Sequence, residues 1–308
     1  MPATLITCYV NPDLDGFAGA VAYAEFLQKQ GREAQVGILG TPHDEVKYVL
    51  ERFHLPSPPE IADAAGFSQV ILVDASDLIG LEGRVDPDKV IEIIDHRIVN
   101  EAEKFLQAKV QIEMVGAAAT LVAEKFYQEK VSISPTSALL VYSAIVSNTL
   151  NFKGSVTTER DIKMAEWLKQ FIDVPSDYWR ELFAAKSDLS GNKLAERIEG
   201  DFAWFVVGDK RVGIAQIEIM GVEALIRDRS SEILTVLERL KQELNLDYIF
   251  QNTIELEQLQ NYFISADSAT KNLLAKVLQV EFSGNVATRK SLIMRKQIIP
   301  LIKTELES

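Results

Sequence analysis

Asp13 and Asp15 stand two positions apart in the stretch Asn11-Pro12-Asp13-Leu14-Asp15-Gly16. Two carboxylates at that spacing in a loop can converge on one or two cations, and a following glycine allows close backbone approach. The same residues also suit an Asx-type turn in which Asp15 caps a helix. Asp74 directly follows the apolar run 70–73, and Asp95-His96-Arg97 closes the apolar run 90–94. Of the chain's three histidines, His43 lies in a loop context and His54 among apolar residues, whereas His96 sits between an aspartate and an arginine. Taken alone, Asp-His-Arg fits a solvated turn as well as a site. Together, three strand ends present carboxylates and an imidazole toward one rim. Oxygen ligands with a single imidazole suit Mn²⁺ or Mg²⁺ better than a thiolate-seeking metal. Carboxylates held this closely repel one another unless a cation or raised pKa values relieve them.

The elements that must position these groups alternate between strand and helix. Residues 5–10 form a β-rich run that stops at Asn11-Pro12. Small and apolar residues then recur at helical spacing (Phe17, Ala20, Val21, Ala24, Leu27) up to Lys29. A second strand is expected at 34–39, and the runs 70–73 and 90–94 read as buried strands. Near-continuous apolar strands separated by helices imply a parallel sheet covered by helices on both faces, with ligands outside the carboxyl ends of its strands. Helices dominate from 116 to 185. The polar stretch 186–192 reads as a linker. Beyond it come strands at 204–207, 212–219, 248–251 and 262–266, a long amphipathic helix ending near 243, and a helix after Gln297. The fold class is α/β, with a parallel-sheet N-terminal domain (1–187), a linker (188–194) and a smaller mixed α/β C-terminal domain (195–308).

Composition narrows the function. Hydrophobic residues at 47% and charged residues at 25% match a globular chain. No apolar run approaches the ~20 residues of a membrane span, and no secretory leader is visible. One cysteine, Cys8, excludes a disulfide framework or a thiolate cluster. These features point to a cytoplasmic protein. A net charge of −13 opposes a non-specific nucleic-acid or anionic-membrane surface but not a small anion in a locally basic pocket.

Residues 11–15, Asp74 and Asp95-His96-Arg97 resemble the successive motifs of the DHH phosphoesterases. Residues 147–161 (SNTLNFKGSVTTERD) resemble the fourth motif of family II, manganese-dependent inorganic pyrophosphatases, and 208–216 (GDKRVGIAQ) and 295–300 (RKQIIP) resemble their second domain. The resemblance spans nearly the whole chain. It implies two Mn²⁺ or Mg²⁺ ions on the first domain, with a basic second domain closing over phosphate. By position, Asp13 and Asp15 would each bind one metal, Asp74 would bridge both, His96 would ligate the second, and Asp95 would orient His96. The family commonly dimerises through its first domain, which makes a homodimer the corresponding expectation.

The chain departs from the family at four of these positions. Tyr9 stands where the family has a ligating histidine, and Asn148 where it has a ligating aspartate. Arg97 replaces a substrate-contacting histidine, and Met294 falls in the basic run continued by Arg295 and Lys296. An Asn148 oxygen can still coordinate a hard cation, without the charge that tightens binding. A phenol, with a pKa near ~10, is a poor ligand. Phosphate contacts are expected from Arg97, Lys210 (or Arg211), Arg295 and Lys296. The sequence therefore implies a one- or two-ion phosphohydrolase acting through metal-activated water, with Asp74 and His96 at its centre. Two alternatives remain open: a degenerate member that binds a phosphorylated ligand or partner without turnover, and a structural subunit holding one cation.

Overall fold

Five parallel strands build the sheet that positions the candidate site. The computed structural model describes residues 4–97 and 100–307, and the chain divides into two compact units, Met1–Ala185 and Lys186–Ser308.

In the first unit, β1 (Thr4–Thr7) is followed by α1 (Leu14–Lys29), β2 (Ala34–Val36), β3 (Ile38–Leu39), α2 (Asp44–Arg52), β4 (Glu60–Ile61), β5 (Gln69–Val73), β6 (Val90–Asp95) and β7 (Lys109–Ile112). Helices α3 (Ala118–Glu129), α4 (Pro135–Asn148), α5 (Glu159–Leu168) and α6 (Tyr178–Lys186) complete it. The strand order is β2-β1-β5-β6-β7, all parallel, so the order reverses between β1 and β5. Such a switch point opens a crevice at the carboxyl ends of the two strands. The Asp13/Asp15 loop follows β1 and Asp74 follows β5.

The first strand is shorter than the β-rich run suggests. It ends at Thr7, because Asn11 takes a left-handed conformation (φ 56°) and turns the chain into α1. The Asn11 amide donates to Leu39 O and its side-chain oxygen accepts from Thr41 N–H, which fixes that turn. The run 34–39 divides at Gly37: β2 pairs with β1, whereas β3 pairs with β4.

Both faces of the central strands β1, β5 and β6 are buried. On one, α1 packs with α3 and α4. Helix α4 starts at a Ser134 cap with Pro135 in its first turn and is buried at every residue from Ser137 to Ser147, as an all-round apolar helix must be. On the other face, Leu5, Val70, Leu72 and Ile93 pack with Ala64, Leu81, Val85 and Phe105 from the connecting segments.

The second unit holds a six-stranded mixed sheet of order β12-β13-β11-β10-β9-β8. Its elements are α7 (Lys193–Gly200), β8 (Phe202–Val207), β9 (Lys210–Ile219), α8 (Val222–Glu243), β10 (Tyr248–Glu255), β11 (Gln260–Ile264), α9 (Ser268–Leu278), β12 (Phe282–Ser283), β13 (Val286–Arg289) and α10 (Arg295–Leu306). A buried ladder of amides crosses three strands. Gln216 on β9 sits beside Asn252 on β10, whose Nδ2 donates to Gln216 Oε1 at 3.2 Å. Asn261 on β11 donates to Asn252 Oδ1 at 2.7 Å and exchanges bonds with the backbone of Ile293. The Arg295 amide then donates to Gln216 Oε1 at 2.8 Å, fixing the start of α10 to the sheet.

Helix α1 meets β5 at Gly19, where an added Cβ would lie 2.6 Å from Val73 Cγ1. Gly19→Ala is expected to lower unfolding free energy by ~1–3 kcal/mol through overpacking, despite the better helix propensity of alanine. Urea titration by circular dichroism measures this, and a stabilised variant would refute the close packing.

Candidate metal centre

Asp13 is the N-cap of α1: its Oδ1 accepts from Asp15 N–H at 2.9 Å and Gly16 N–H at 3.2 Å. The capping role that the sequence offered to Asp15 thus belongs to Asp13. Asp15, in the first turn, is fully buried and turns its carboxylate toward the start of α3. Oδ2 accepts from Ala118 N–H at 2.7 Å and Oδ1 from Ala119 N–H at 2.8 Å. Anions are stabilised at a helix N-terminus by free amides and by the helix dipole.

Asp74 leaves β5 in the left-handed region (φ 57°), which aspartate tolerates better than most residues. Its amide donates to Ile94 O at 2.8 Å, tying the ends of β5 and β6 together. His96 follows β6, and its Nδ1 lies 2.9 Å from Val115 O. A carbonyl only accepts, so Nδ1 carries a proton and the Nε2 of the neutral ring presents a lone pair. Nε2 is 3.5 Å from Asp74 Oδ1 and 3.7 Å from Asp15 Oδ2.

Asp15, Asp74 and His96 thus bring three ligand atoms within 4.8 Å of one another. Burial pushes the Asp15 carboxyl up to about 7, with Asp13 adding to the rise while His96 and the Ala119 and Ala118 amides oppose it. Burial, then the charges of Asp15, Asp13 and Asp95, raise Asp74 well above the carboxylate range, and Arg97 opposes them. Two carboxyls held above their ordinary range, facing an imidazole lone pair, are a donor set suited to a divalent cation.

Hydrogen bonds and ion pairs within the chain engage the surrounding residues. Asp95 does not touch the His96 ring. It accepts from the His96 and Arg97 amides at 2.6 and 3.2 Å, from Ser76 Oγ, and from Arg97 Nε at 3.0 Å. The Val115 carbonyl orients the imidazole instead. Arg97, expected on phosphate, donates also to Asp77 Oδ2 and to Asp74 O, both at 3.1 Å, so three of its neighbours already hold it. The Tyr9 hydroxyl accepts the Asp13 amide at 2.9 Å. Burial and then the Asp13 and Asp74 charges raise its pKa well above the phenol range, which keeps it protonated and unsuited to ligation. Asn148, the last residue of α4, donates its Nδ2 to Asp15 Oδ2 at 2.7 Å.

In the second unit, Arg295 binds Asp201 through Oδ1 and the carbonyl, both at 2.7 Å. Lys210 lies 3.3 Å from Asp209 and 3.8 Å from Asp247, and Arg211 stacks over Trp204 at 4.4 Å. Lys296 is exposed on the first turn of α10 and has no ion-pair partner among the described residues.

Sequence reasoning missed the backbone groups that shape the site: Val115 O and the Ala118 and Ala119 amides leave no side-chain signature. It also missed Glu45, a buried carboxylate on α2 that accepts from Leu14 N–H at 3.1 Å and from Ser147 Oγ, beneath the Asp13–Asp15 turn and the end of α4.

Asn148→Asp replaces a hydrogen-bond donor to Asp15 with a like charge. In EDTA at pH 8 the variant should lose ~1–3 kcal/mol of stability in urea titration. Its Mn²⁺ affinity by calorimetry should rise by about an order of magnitude, since ligand charge tightens a hard-cation site. Unchanged affinity would place residue 148 outside the ligand set.

Known proteins resemble this chain over nearly its whole length. The DHH family, N-terminal domain model matches residues 3–145, and the DHHA2 domain model matches 180–304. A protein of Bacillus velezensis named probable manganese-dependent inorganic pyrophosphatase is 31% identical over 306 residues, covering 98% of both chains. The manganese-dependent inorganic pyrophosphatase of Bacillus subtilis is 30% identical over 306 residues, again with 98% of each covered. A Methanococcus jannaschii crystal structure, named for family II of the inorganic pyrophosphatases, superposes with a TM-score of 0.74 at 27% identity, over 99% of this chain and 100% of that one.

Proposed function

The chain belongs to the DHH phosphoesterases, in the family of the manganese-dependent inorganic pyrophosphatases, and on that premise we propose that it hydrolyses a phosphoanhydride such as pyrophosphate with one bound divalent cation. The observation that carries this reading is the convergence of Asp15, Asp74 and His96 within 4.8 Å beside the switch point of the sheet. These three would hold Mn²⁺ or Mg²⁺, with Asn148 alongside. Once bound, such an ion polarises a phosphoryl oxygen and lowers the pKa of a coordinated water. The reading takes one ion because Asp13 Oδ1 already serves the α1 cap and the Tyr9 phenol, its pKa raised, is a poor ligand.

The chain's own groups do the positioning. Val115 O holds the imidazole with Nε2 toward the carboxylates, and the Ala118 and Ala119 amides fix Asp15. Arg97 ties Asp95, Asp77 and the Asp74 carbonyl into one unit, which keeps the ends of β5 and β6 in register. Among the second-unit cations, Lys296 is the proposed phosphate contact because Lys210 and Arg295 are already paired. A cytoplasmic location accompanies this reading. The second reading is a phosphate binder without turnover, favoured by the Asn148 donation to Asp15 and the engagement of Arg97.

With pyrophosphate and Mn²⁺, the full chain should release phosphate and bind one ion per chain, and Asp74→Ala should reduce release by a hundredfold or more. Ion binding without phosphate release would favour the binder, and no ion binding would refute both readings. The pH dependence has a definite sign. The Asp15 carboxyl is raised from 3.8 to about 7, so protons compete with the ion below that value. Mn²⁺ affinity should strengthen as pH rises from 6 to 8, with proton release on binding measurable by calorimetry in two buffers.

A further inference from the structure

The sequence motif 147–161 ends in Asp161, a fully buried carboxylate that the proposed reaction does not use. Both of its oxygens accept the Gly116 amide, at 3.0 and 2.9 Å. Oδ1 also accepts from Thr120 Oγ at 2.6 Å, and Oδ2 from Thr158 N and Oγ, both at 2.7 Å. The Thr158 contacts form the capping box of α5, which accounts for one end of the carboxylate. The Gly116 and Thr120 contacts reach instead into the segment that leads into α3.

That segment touches two of the three groups that converge in the candidate centre, His96 and Asp15. Val115 O sets the His96 ring, and the Ala118 and Ala119 amides hold Asp15. At Gly116 there is no room for a side chain: an added Cβ would lie 2.6 Å from Thr149 Cγ2 and 3.0 Å from Asp161 Oδ2. Thr149 follows Asn148 directly, so the same close contact backs the residue that bonds Asp15. Helix α3 has no side-chain cap of its own at Ala117. Its entry is fixed by Asp15 on one side and Asp161 on the other.

We propose that Asp161 is a positioning residue of the metal centre, acting through residues 115–119 to set the His96 tautomer and the orientation of Asp15. This deepens the one-ion reading above and rests on it for its consequence in affinity. Its geometric part, the imidazole tautomer, is measurable without any ion.

The test uses the full ¹⁵N-labelled chain. Side-chain ¹⁵N shifts of His96, assigned by comparison with His96→Gln, report which ring nitrogen carries the proton at pH 8 in EDTA. Calorimetry reports Mn²⁺ affinity, and circular dichroism reports melting. Asp161→Asn places an amide donor among donors, and Gly116→Ala adds a Cβ that crowds both Thr149 and the Asp161 carboxylate. Both should replace the single Nδ1–H tautomer with a mixture and weaken Mn²⁺ binding about 10- to 100-fold, as removal of groups that orient ligands usually does. Thr158→Ala removes the two contacts of the Thr158 hydroxyl with Asp161 but leaves Asp161 on Gly116. It should lower the melting temperature while keeping the wild-type tautomer and affinity.

The proposal is overturned if Asp161→Asn and Gly116→Ala melt earlier yet keep the wild-type tautomer and affinity, because Asp161 would then be only a helix cap. A changed tautomer with unchanged affinity overturns it equally. Should Asp161→Asn fail to fold, Gly116→Ala gives the same two readings. If the wild-type chain binds no Mn²⁺, the metal reading fails on its own, and the tautomer still decides whether Asp161 positions His96.

Discussion

The bond between the Asp15 carboxylate and the first two amides of α3 is the constraint around which the first unit is arranged. Asp13 and Asp15 differ by two positions yet cap different helices, Asp13 its own α1 and Asp15 the start of α3, where Ala117 offers no side-chain acceptor. Helix α1 is thereby pinned to α3 at the level of the strand ends, and α1 lies tight on β5 through Gly19. The carboxylate that completes the fold is the one that faces His96 and Asp74. Burial raises its pKa, and two backbone amides limit the rise. A side chain placed this way serves stability and chemistry together, so neither role can change without the other.

Two residues around it offset negative charge without a metal ion. Asn148 donates to Asp15, and Arg97 places a guanidinium among Asp74, Asp77 and Asp95. Relative to the pattern of the family, the rim loses one carboxylate and gains a permanent cation. Both changes reduce the electrostatic demand for bound metal. The surviving set, two carboxylates and one imidazole, remains an oxygen-rich site of the kind that Mn²⁺ or Mg²⁺ prefers.

Much of this was legible from residue type and spacing. Strand-terminal Asp74 and His96 follow from apolar runs that end in polar residues, and the order of the sheet places them beside the switch point. The convergence of Asp15, Asp74 and His96 needed only the expectation of parallel strands. What stayed hidden was the work of the backbone. The Val115 carbonyl and the Ala118 and Ala119 amides belong to residues whose side chains carry no signal, and they displaced Asp95 from its expected role on the His96 ring. The choice of Asp13 over Asp15 as the α1 cap turned on long-range packing, because Asp15 had a partner more than a hundred residues away. The partners of Arg97 were hidden in the same way: its type suits phosphate, and only the fold shows that Asp95 and Asp77 hold its guanidinium.

The amide ladder of the second unit bears on how the Arg295-Lys296 pair can vary. Gln216, Asn252 and Asn261 sit on three adjacent strands, and all converge on the backbone between Ile293 and Arg295. A slip of one residue along any of these strands would turn its amide to the opposite face and leave buried polar atoms unpaired. The helix that carries the two cations is therefore indexed to the sheet as a key is to its wards. Insertions in the loop 290–294 would be expected to scramble that index before they loosened the helix, and natural variation should accumulate in the outer turns of α10 rather than at its root.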